Sequence, residues 1–292
     1  MMNIEKVKNY IKEIFIKNID IKNYIKVNFN IEYDENENIV EYICYLNNTD
    51  ILKKLLSKFG KNLPINEKCV YMIFKNNNLE IAKELRKIFG NKLPVYNNGC
   101  MYWACRNNNI ELVKILINIF GNRVLICDGS IYYACENNNW EIIKLFINVF
   151  GNELHINTSV ITYACINNNL EMVKEFVKVF GDKLPINNYA INEACINGNL
   201  EIIKVLMGLF GNKLPIGKDA IYEACKNSNL EIIKELVKNY QNKLPINKDE
   251  IYDILNKKKD VKILEMIEII DNIEEIIDNI EEIEEIEEIE EQ

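Results

Sequence analysis

Apolar residues recur along this chain with a spacing that predicts pairs of short α-helices. In residues 219–245, DAIYEACKNSNLEIIKELVKNYQNKLP, the side chains of Ile221, Ala224 and Cys225 fall on one face of a helix. The polar letters KNSN follow, and a second apolar face with a period of about 3.6 residues begins at Leu230. The segment therefore predicts two helices joined by a tight turn.

The same pattern returns along most of the chain with a period of 30 residues and one step of 31. The dipeptide Phe-Gly occurs at 59–60, 89–90, 120–121, 150–151, 180–181 and 210–211. Ala-Cys occurs in the same frame at 104–105, 134–135, 164–165, 194–195 and 224–225. A helix pair of this size cannot bury a core alone, so the period predicts helix pairs that stack on their neighbours.

Asparagine occupies the turn between the two predicted helices of most units. The position of Asn138 is filled elsewhere by Asn47, Asn77, Asn108, Asn168, Gly198 and Ser228. Asn and Gly adopt the left-handed backbone conformation at the lowest cost, so this position is predicted to end the first helix. The next residue, Asn139, is predicted to cap the second helix, which ends at Phe-Gly before a Leu-Pro pair.

These units resemble the ankyrin repeat. Residues 219–234, DAIYEACKNSNLEIIK, align without a gap to its pattern T-P-L-H-x-A-A-x-x-G-H-L-E-I-V-K, with Ala224 and Cys225 at the Ala pair and Ser228 at the Gly. The resemblance implies an all-α solenoid of stacked helix pairs, which binds proteins through the concave face of its first helices. Asn/Ile/Lys-rich units of this length are similar to those of giant DNA viruses and some AT-rich protists.

The link between units departs from the family pattern. It reads GNKLPI and is about three residues shorter than the family's link. We therefore expect short or absent β-hairpin links. Residues 1–59 are predicted to form an N-terminal cap and degenerate repeats, 60–247 ankyrin-like repeats, 248–270 C-terminal capping helices, and 271–292 an acidic low-complexity tail.

Charge is concentrated in the tail. The net charge is −9, but residues 271–292 hold twelve acidic residues and no basic one, which leaves 32 acidic against 35 basic residues elsewhere. This balance gives no case for nucleic acid or an anionic membrane as partner. The chain start has no apolar signal segment, and no stretch approaches the roughly 18 apolar residues of a membrane span. We expect a cytoplasmic protein, in the host cytoplasm if it is viral.

Isoleucine recurs every three residues from Ile280 onward in the tail. On a helix this apolar stripe would wind around the axis rather than seat in one partner groove. One interpretation is a disordered acidic extension, and the alternative is a clasp that binds basic patches of the body or a basic partner.

Six cysteines share one frame: Cys44, Cys105, Cys135, Cys165, Cys195 and Cys225. Stacked helix pairs lie about 8–10 Å apart, too far for disulfides, and one histidine is too few for zinc sites, so we predict buried, reduced thiols. Cys69, Cys100 and Cys127 are predicted to lie in connections, where a reactive thiol is an open alternative. We predict no catalytic constellation, no metal site and no cofactor, and therefore not an enzyme.

Candidate partner-binding residues vary while the frame stays fixed. One series lies two residues before the Cys frame and comprises Met72, Trp103, Tyr133, Tyr163, Glu193 and Glu223. The other lies one residue after it and comprises Lys75, Arg106, Glu136, Ile166, Ile196 and Lys226. The two series are three residues apart and share one helix face, and the resemblance places the second on family contact positions.

The aromatic end of the first series, with Arg106 beside it, has the composition of an interface hot spot. The alternative is that Trp103, Tyr133 and Tyr163 only fill packing space beside the groove. We predict a monomeric, non-catalytic scaffold that binds a protein partner through the face of the first helices. The competing hypotheses are an adaptor that recruits substrates to a host machine such as a ubiquitin ligase, an enzyme, and a nucleic-acid-binding protein.

Overall fold

The structure is a computed structural model that describes residues 39–95, 97–240 and 247–256, together with the isolated positions 23, 26, 268 and 269. Within these residues it contains fifteen α-helices. In chain order α1 to α15 are Ile39–Tyr45, Thr49–Phe59, Glu67–Lys75, Leu79–Phe89, Asn97–Arg106, Ile110–Phe120, Asp128–Glu136, Trp140–Phe150, Thr158–Ile166, Leu170–Phe180, Asn188–Ile196, Leu200–Phe210, Lys218–Lys226, Leu230–Tyr240 and Lys248–Asn256.

The chain divides into two compact units, Met1–Asn137 and Asn138–Gln292, here called unit one and unit two. In unit one the first helices α1, α3, α5 and α7 pack side by side, and the second helices α2, α4 and α6 form another layer. In unit two, α9, α11, α13 and α15 pack in the same way, with α10, α12 and α14 as the second layer. The predicted all-α fold of stacked helix pairs is confirmed.

The cysteines of the repeated frame lie in the core. Each of the six is fully buried, and Phe74 is buried at the same position of α3. Burial raises the pKa of the Cys165 and Cys195 thiols to about 12, because a thiolate would lose its hydration there. The prediction that these cysteines pack in the core is confirmed, and none of the nine cysteines forms a disulfide.

Cys69 and Cys100 were placed in connections by sequence, and this prediction is wrong. Cys69 lies in α3 and Cys100 lies in α5, and both are fully buried. The first helices begin earlier than the Ala-Cys landmark suggested, because Asn66 caps α3 by accepting a hydrogen bond from the backbone N–H of Cys69 (3.0 Å). Cys127 does precede a helix, at the N-cap of α7, and is half-buried.

The turns between paired helices have the predicted conformation. The left-handed position has positive φ in every described unit, at Asn47, Asn77, Asn108, Asn138, Asn168, Gly198 and Ser228. The next residue caps the second helix. Asn169, for example, accepts a hydrogen bond on Oδ1 from the backbone N–H of Met172 (3.0 Å).

Asparagine also joins successive repeats, which the sequence did not reveal. The first Asn of a triplet donates to a carbonyl at the end of the preceding first helix: Asn107 Nδ2 to Phe74 O in unit one (3.1 Å), and Asn197 Nδ2 to Cys165 O in unit two (2.9 Å). The third Asn donates to the second Asn of the preceding repeat, as Asn169 Nδ2 does to Asn138 Oδ1 (2.7 Å). Each triplet therefore terminates one helix, caps the next and bonds to the repeat before it.

The links between repeats are short turns, and the described residues contain no strand. Six second helices, α2, α4, α6, α8, α10 and α12, end at a glycine with φ between 51° and 58°, a conformation that residues with a Cβ avoid. A 3₁₀ turn follows, at Gly60–Asn62, Gly90–Lys92, Gly121–Arg123, Gly151–Glu153, Gly181–Lys183 and Gly211–Lys213. The residue that follows each of these 3₁₀ turns is buried in the core, at Leu63, Leu93, Val124, Leu154, Leu184 and Leu214.

Some sequence predictions concern residues outside the described part of the chain. The acidic tail at 271–292 lies entirely outside it, as do most of 1–38 and 257–270. The four predicted parts of the chain therefore stay predictions. Helices α1 and α2 nevertheless have the turn and cap of the later repeats, since Asn47 has a φ of 53° and Asn48 accepts from the backbone N–H of Ile51.

Candidate functional site

The candidate residues of unit one lie on α3, α5 and α7, which pack in that order. Buried cysteines and Phe74 fix the inner face of these helices, so the residues two before and one after that frame are directed away from the core. Met72, Trp103 and Tyr133 are half-buried, whereas Lys75, Arg106 and Glu136 are exposed. The residues two before the Cys frame are therefore partly covered, and those one after it face solvent.

Aromatic rings connect α3, α5 and α7 in an edge-to-face chain. The ring of Trp103 lies 6.5 Å from that of Tyr71 and 5.3 Å from that of Tyr102, measured between centroids. Tyr102 also lies 5.3 Å from Tyr133, which is 5.1 Å from Tyr132. Each interplanar angle is between 79° and 90°, the geometry in which ring edges meet ring faces. The structure thus brings Trp103 and Tyr133 into one continuous aromatic surface.

Two cations lie over these rings. The Arg106 guanidinium is 5.0 Å from the centre of the Trp103 ring and 5.3 Å from that of Tyr133, and Lys75 Nζ is 5.5 Å from the same Trp103 ring. Arg106 Nη1 also donates a hydrogen bond to the Tyr102 hydroxyl (3.2 Å). Cation–π contact and this hydrogen bond together hold the guanidinium over the rings. We name Tyr71, Tyr102, Trp103, Tyr132 and Tyr133, with Lys75 and Arg106, the aromatic–cation cluster.

Three tyrosines of the cluster were missed by the sequence reasoning. Tyr71, Tyr102 and Tyr132 all lie three residues before the Cys frame, next to the series that was selected. The available signal was this shared register, which a search for large aromatic residues at every frame position would have found. Tyr102 occupies the centre of the cluster because it contacts both Trp103 on its own helix and Tyr133 on the next.

The candidate residues of unit two form a different surface on α9, α11 and α13. Ile166 and Ile196 end α9 and α11 and are 40% and 41% exposed, which is unusual for branched apolar side chains. Asn197 Nδ2 donates to Ile166 O (3.1 Å), so the ends of these helices are held side by side. Tyr163, Glu193 and Glu223 are half-buried.

The last position of this surface carries an ion pair. Lys226 Nζ lies 3.0 Å from Glu223 Oε1, one helical turn away on α13. The Lys226 charge is therefore compensated within its own helix, whereas no carboxylate of the described residues forms an ion pair with Lys75 or Arg106. The surface of unit two is consequently apolar at its first two helix ends and charge-balanced at the third.

The described residues contain no group of three or more His, Cys, Asp and Glu side chains placed to hold a metal ion. Among the same residues, no helix is long and apolar enough to cross a membrane.

Comparison with known families agrees with this architecture. A family described as ankyrin repeats (3 copies) matches residues 131–212 and 163–249, and a second, described as ankyrin repeat, matches residues 96–126. No curated protein and no solved structure matches the chain. The chain belongs to the ankyrin repeat family. Ankyrin repeats indicate a protein–protein interaction scaffold, and proteins of the family are typically non-catalytic.

Proposed function

We propose that the protein captures a protein partner through the exposed faces of its first helices. In unit one the contact residues are Met72, Lys75, Trp103, Arg106, Tyr133 and Glu136. In unit two they are Tyr163, Ile166, Glu193, Ile196, Glu223 and Lys226. The observation that carries the proposal is the aromatic–cation cluster, in which Arg106 lies 5.0 Å from the Trp103 ring.

The cluster supports this proposal by its composition and by its rigidity. Trp, Tyr and Arg are the residues that most often dominate the binding energy of protein interfaces. Edge-to-face packing and the hydrogen bond to Tyr102 restrict these side chains before any partner arrives. A partner therefore orders fewer rotamers on binding, which reduces the entropic cost of association.

The apolar helix ends of unit two support it independently. Ile166 and Ile196 keep about two fifths of their surface in water at neighbouring positions. Covering them would remove apolar area from solvent at roughly 25 cal/mol per Å². Ile166 and Ile196 lie one residue after the Cys frame, as Lys75 and Arg106 do, so both candidate surfaces use the same position of the repeat.

The test is affinity purification with mass spectrometry on the wild type and on the double variant Trp103→Ala/Ile166→Asp. We expect the partner captured by the wild type to be lost, because a central aromatic contributes about 2 kcal/mol or more to such interfaces and an aspartate would be desolvated there. The far-UV circular dichroism of the variant should equal that of the wild type.

Tyr189→Ala is the control, since Tyr189 is 65% exposed near the start of α11 and outside both sets. Capture that survives the double variant, or that Tyr189→Ala abolishes equally, contradicts the assignment. Recovery of ubiquitin-ligase subunits together with a second, non-ligase protein would favour the adaptor alternative within the same proposal.

A further inference from the structure

The two cations of the aromatic–cation cluster have no carboxylate partner among the described residues. Lys75 and Arg106 form no ion pair there, although Lys226 at the same frame position binds Glu223. The difference follows from the residue three positions earlier, which is Met72 before Lys75, Trp103 before Arg106 and Glu223 before Lys226. At this position α3, α5 and α7 have an apolar or aromatic side chain, whereas α11 and α13 of unit two have Glu193 and Glu223.

The charges of Lys75 and Arg106 disfavour a cationic ligand at these rings. Lys75 and Arg106 both lie within 5.5 Å of the centre of the Trp103 ring, and Arg106 also covers Tyr133. An incoming ammonium or guanidinium group would meet two like charges at these rings. A carboxylate would instead gain two attractive interactions and would keep the cation–π contacts intact.

The Arg106 guanidinium is suited to hold a carboxylate. One of its nitrogens, Nη1, donates to the Tyr102 hydroxyl (3.2 Å), and the side chain as a whole is exposed. Guanidinium has five N–H donors in a planar fork, so donors remain for a paired contact with a carboxylate. Because the rings already fix its plane, little rotamer freedom would be lost on binding.

We propose that the aromatic–cation cluster is the docking site for an acidic peptide segment of the partner. In this segment a Glu or Asp side chain lies next to an apolar residue. The carboxylate accepts hydrogen bonds from Arg106 and Lys75, and the apolar neighbour packs on the exposed edges of Trp103 and Tyr102. This inference rests on the proposed function and specifies the chemistry of the partner at one of its two surfaces.

The far end of the cluster favours a peptide over nucleic acid. Tyr132 donates a hydrogen bond to Glu136 Oε1 (3.1 Å), which keeps an exposed carboxylate beside the Tyr132–Tyr133 pair. A run of phosphates along α3, α5 and α7 would approach this charge, whereas a peptide can place an acid at Arg106 and an uncharged or basic residue at Glu136. The ligand is therefore expected to be acidic at one end only.

Fluorescence anisotropy with the full chain tests the proposal. The probes are three labelled synthetic peptides of the same length, which carry Glu-Leu, Gln-Leu or Lys-Leu pairs at one end and Ser-Gly repeats over the rest. We expect the Glu-Leu peptide to bind at least about tenfold more tightly than the Gln-Leu peptide, and the Lys-Leu peptide to bind least. Binding of the Glu-Leu peptide should weaken between about 0.05 M and about 0.5 M salt, since both cations are exposed.

Charge-removing variants locate the site. Arg106→Gln should weaken binding of the Glu-Leu peptide about tenfold and Lys75→Gln about threefold, because the guanidinium makes the paired contact. Lys114→Gln is the matched control, because this exposed lysine of α6 lies outside both candidate surfaces and is ion-paired with Glu111 (2.8 Å), and it should change the affinity less than twofold. All three substitutions lie at exposed positions, and unchanged thermal unfolding verifies that the fold is intact.

Three results would overturn the inference: equal binding of the Glu-Leu and Gln-Leu peptides, an equal loss in Lys114→Gln and Arg106→Gln, or tighter binding of a single-stranded oligonucleotide that Arg106→Gln abolishes. These failures are distinct from failure of the proposed function. If capture of a partner depends on Trp103 and Ile166 but not on the charge of Lys75 or Arg106, the proposed scaffold function is supported and the proposal of an acidic ligand is contradicted.

Discussion

At the scale of single residues, the asparagines of the turns combine three roles that are usually divided among different side chains. In unit two, Asn168 has a φ of 53°, and its Oδ1 accepts from Asn199 Nδ2. The Oδ1 of Asn199 in turn accepts from the backbone N–H of Ile202 (3.0 Å) and caps α12. Asparagine can fill all of these positions because its amide both donates and accepts, and because it tolerates positive φ.

Gly198 interrupts this series and so offers a test. It has no side chain to accept from Asn229, whose Nδ2 donates to Cys195 O (2.9 Å). The backbone N–H of Ile232, which would donate to a capping Oδ1, donates instead to Asn229 O (3.0 Å). We expect Gly198→Asn to draw Asn229 back into the capping position and to raise the free energy of unfolding by about 1 kcal/mol, measured by urea denaturation. The new Cβ would meet only the end of the Asn229 side chain, 3.0 Å from Oδ1.

Gly198→Ala is the control for this substitution. It adds the same Cβ at a φ of 66° without an amide, so it should lower the free energy of unfolding by about 1 kcal/mol. If Asn and Ala at this position shift stability equally, the amide contacts between repeats contribute nothing measurable.

The conformation and caps of these asparagines were predictable from the sequence, but their bonds between repeats were not. The positive φ at Asn138 and the cap by Asn139 depend on neighbours a few residues away, so residue type alone predicted them. The bond from Asn169 to Asn138 joins residues 31 positions apart, and it forms only because successive turns are stacked at hydrogen-bonding distance. Pattern analysis identifies the repeat but does not give that spacing.

At the scale of helices and links, glycine determines where six of the second helices end, from α2 to α12. Gly181 has a φ of 54° and a ψ of −135°, and its N–H still donates to Val177 O within α10. The chain then makes one 3₁₀ turn, and Leu184 inserts into the core. A residue with a Cβ would be strained at this backbone conformation, although the position of that Cβ has no neighbouring side chain within 4 Å.

Two glycines therefore respond oppositely to the same substitution. Gly181→Ala should lower the free energy of unfolding by about 1–3 kcal/mol, because the strain is local and the link cannot relax without moving Leu184. Gly208→Ala should raise it by about 0.5–1 kcal/mol, since Gly208 is exposed inside α12 with open space around its Cβ position. Thermal and urea unfolding of the two variants check both signs, and a stabilising Gly181→Ala would contradict the assigned role.

Element boundaries were also where the sequence reasoning erred. Cys69 and Cys100 were assigned to links because the Ala-Cys landmark gives only the end of each first helix. Similarly, the site was anchored on residues two before and one after the Cys frame, whereas Tyr102 at three before makes the contacts that join α5 to α7. Contacts between helices depend on the angle at which they pack, and a repeat pattern contains no such angle.

At the scale of the whole molecule, each unit is an array in which the described helices contact those of the same repeat or of the adjacent one. In unit two, α10 packs on α12, and Phe176 of α10 is fully buried with its ring 6.2 Å from that of Phe180. Stability in such an array is approximately a sum of repeat terms and nearest-neighbour terms. A local defect should therefore loosen its own repeat and its neighbours rather than the whole chain.

Phe176→Ala tests this nearest-neighbour behaviour. The loss of a buried ring should cost about 3–5 kcal/mol, and amide hydrogen exchange should accelerate most in α9 to α12. Exchange in α1 to α4 of unit one should stay at the wild-type rate, because α10 packs on α9 and α12 of its own unit. Lys178→Ala, on the exposed side of α10, is the control and should change exchange little. Uniform acceleration along all the described helices would instead show that the repeats unfold as one cooperative block.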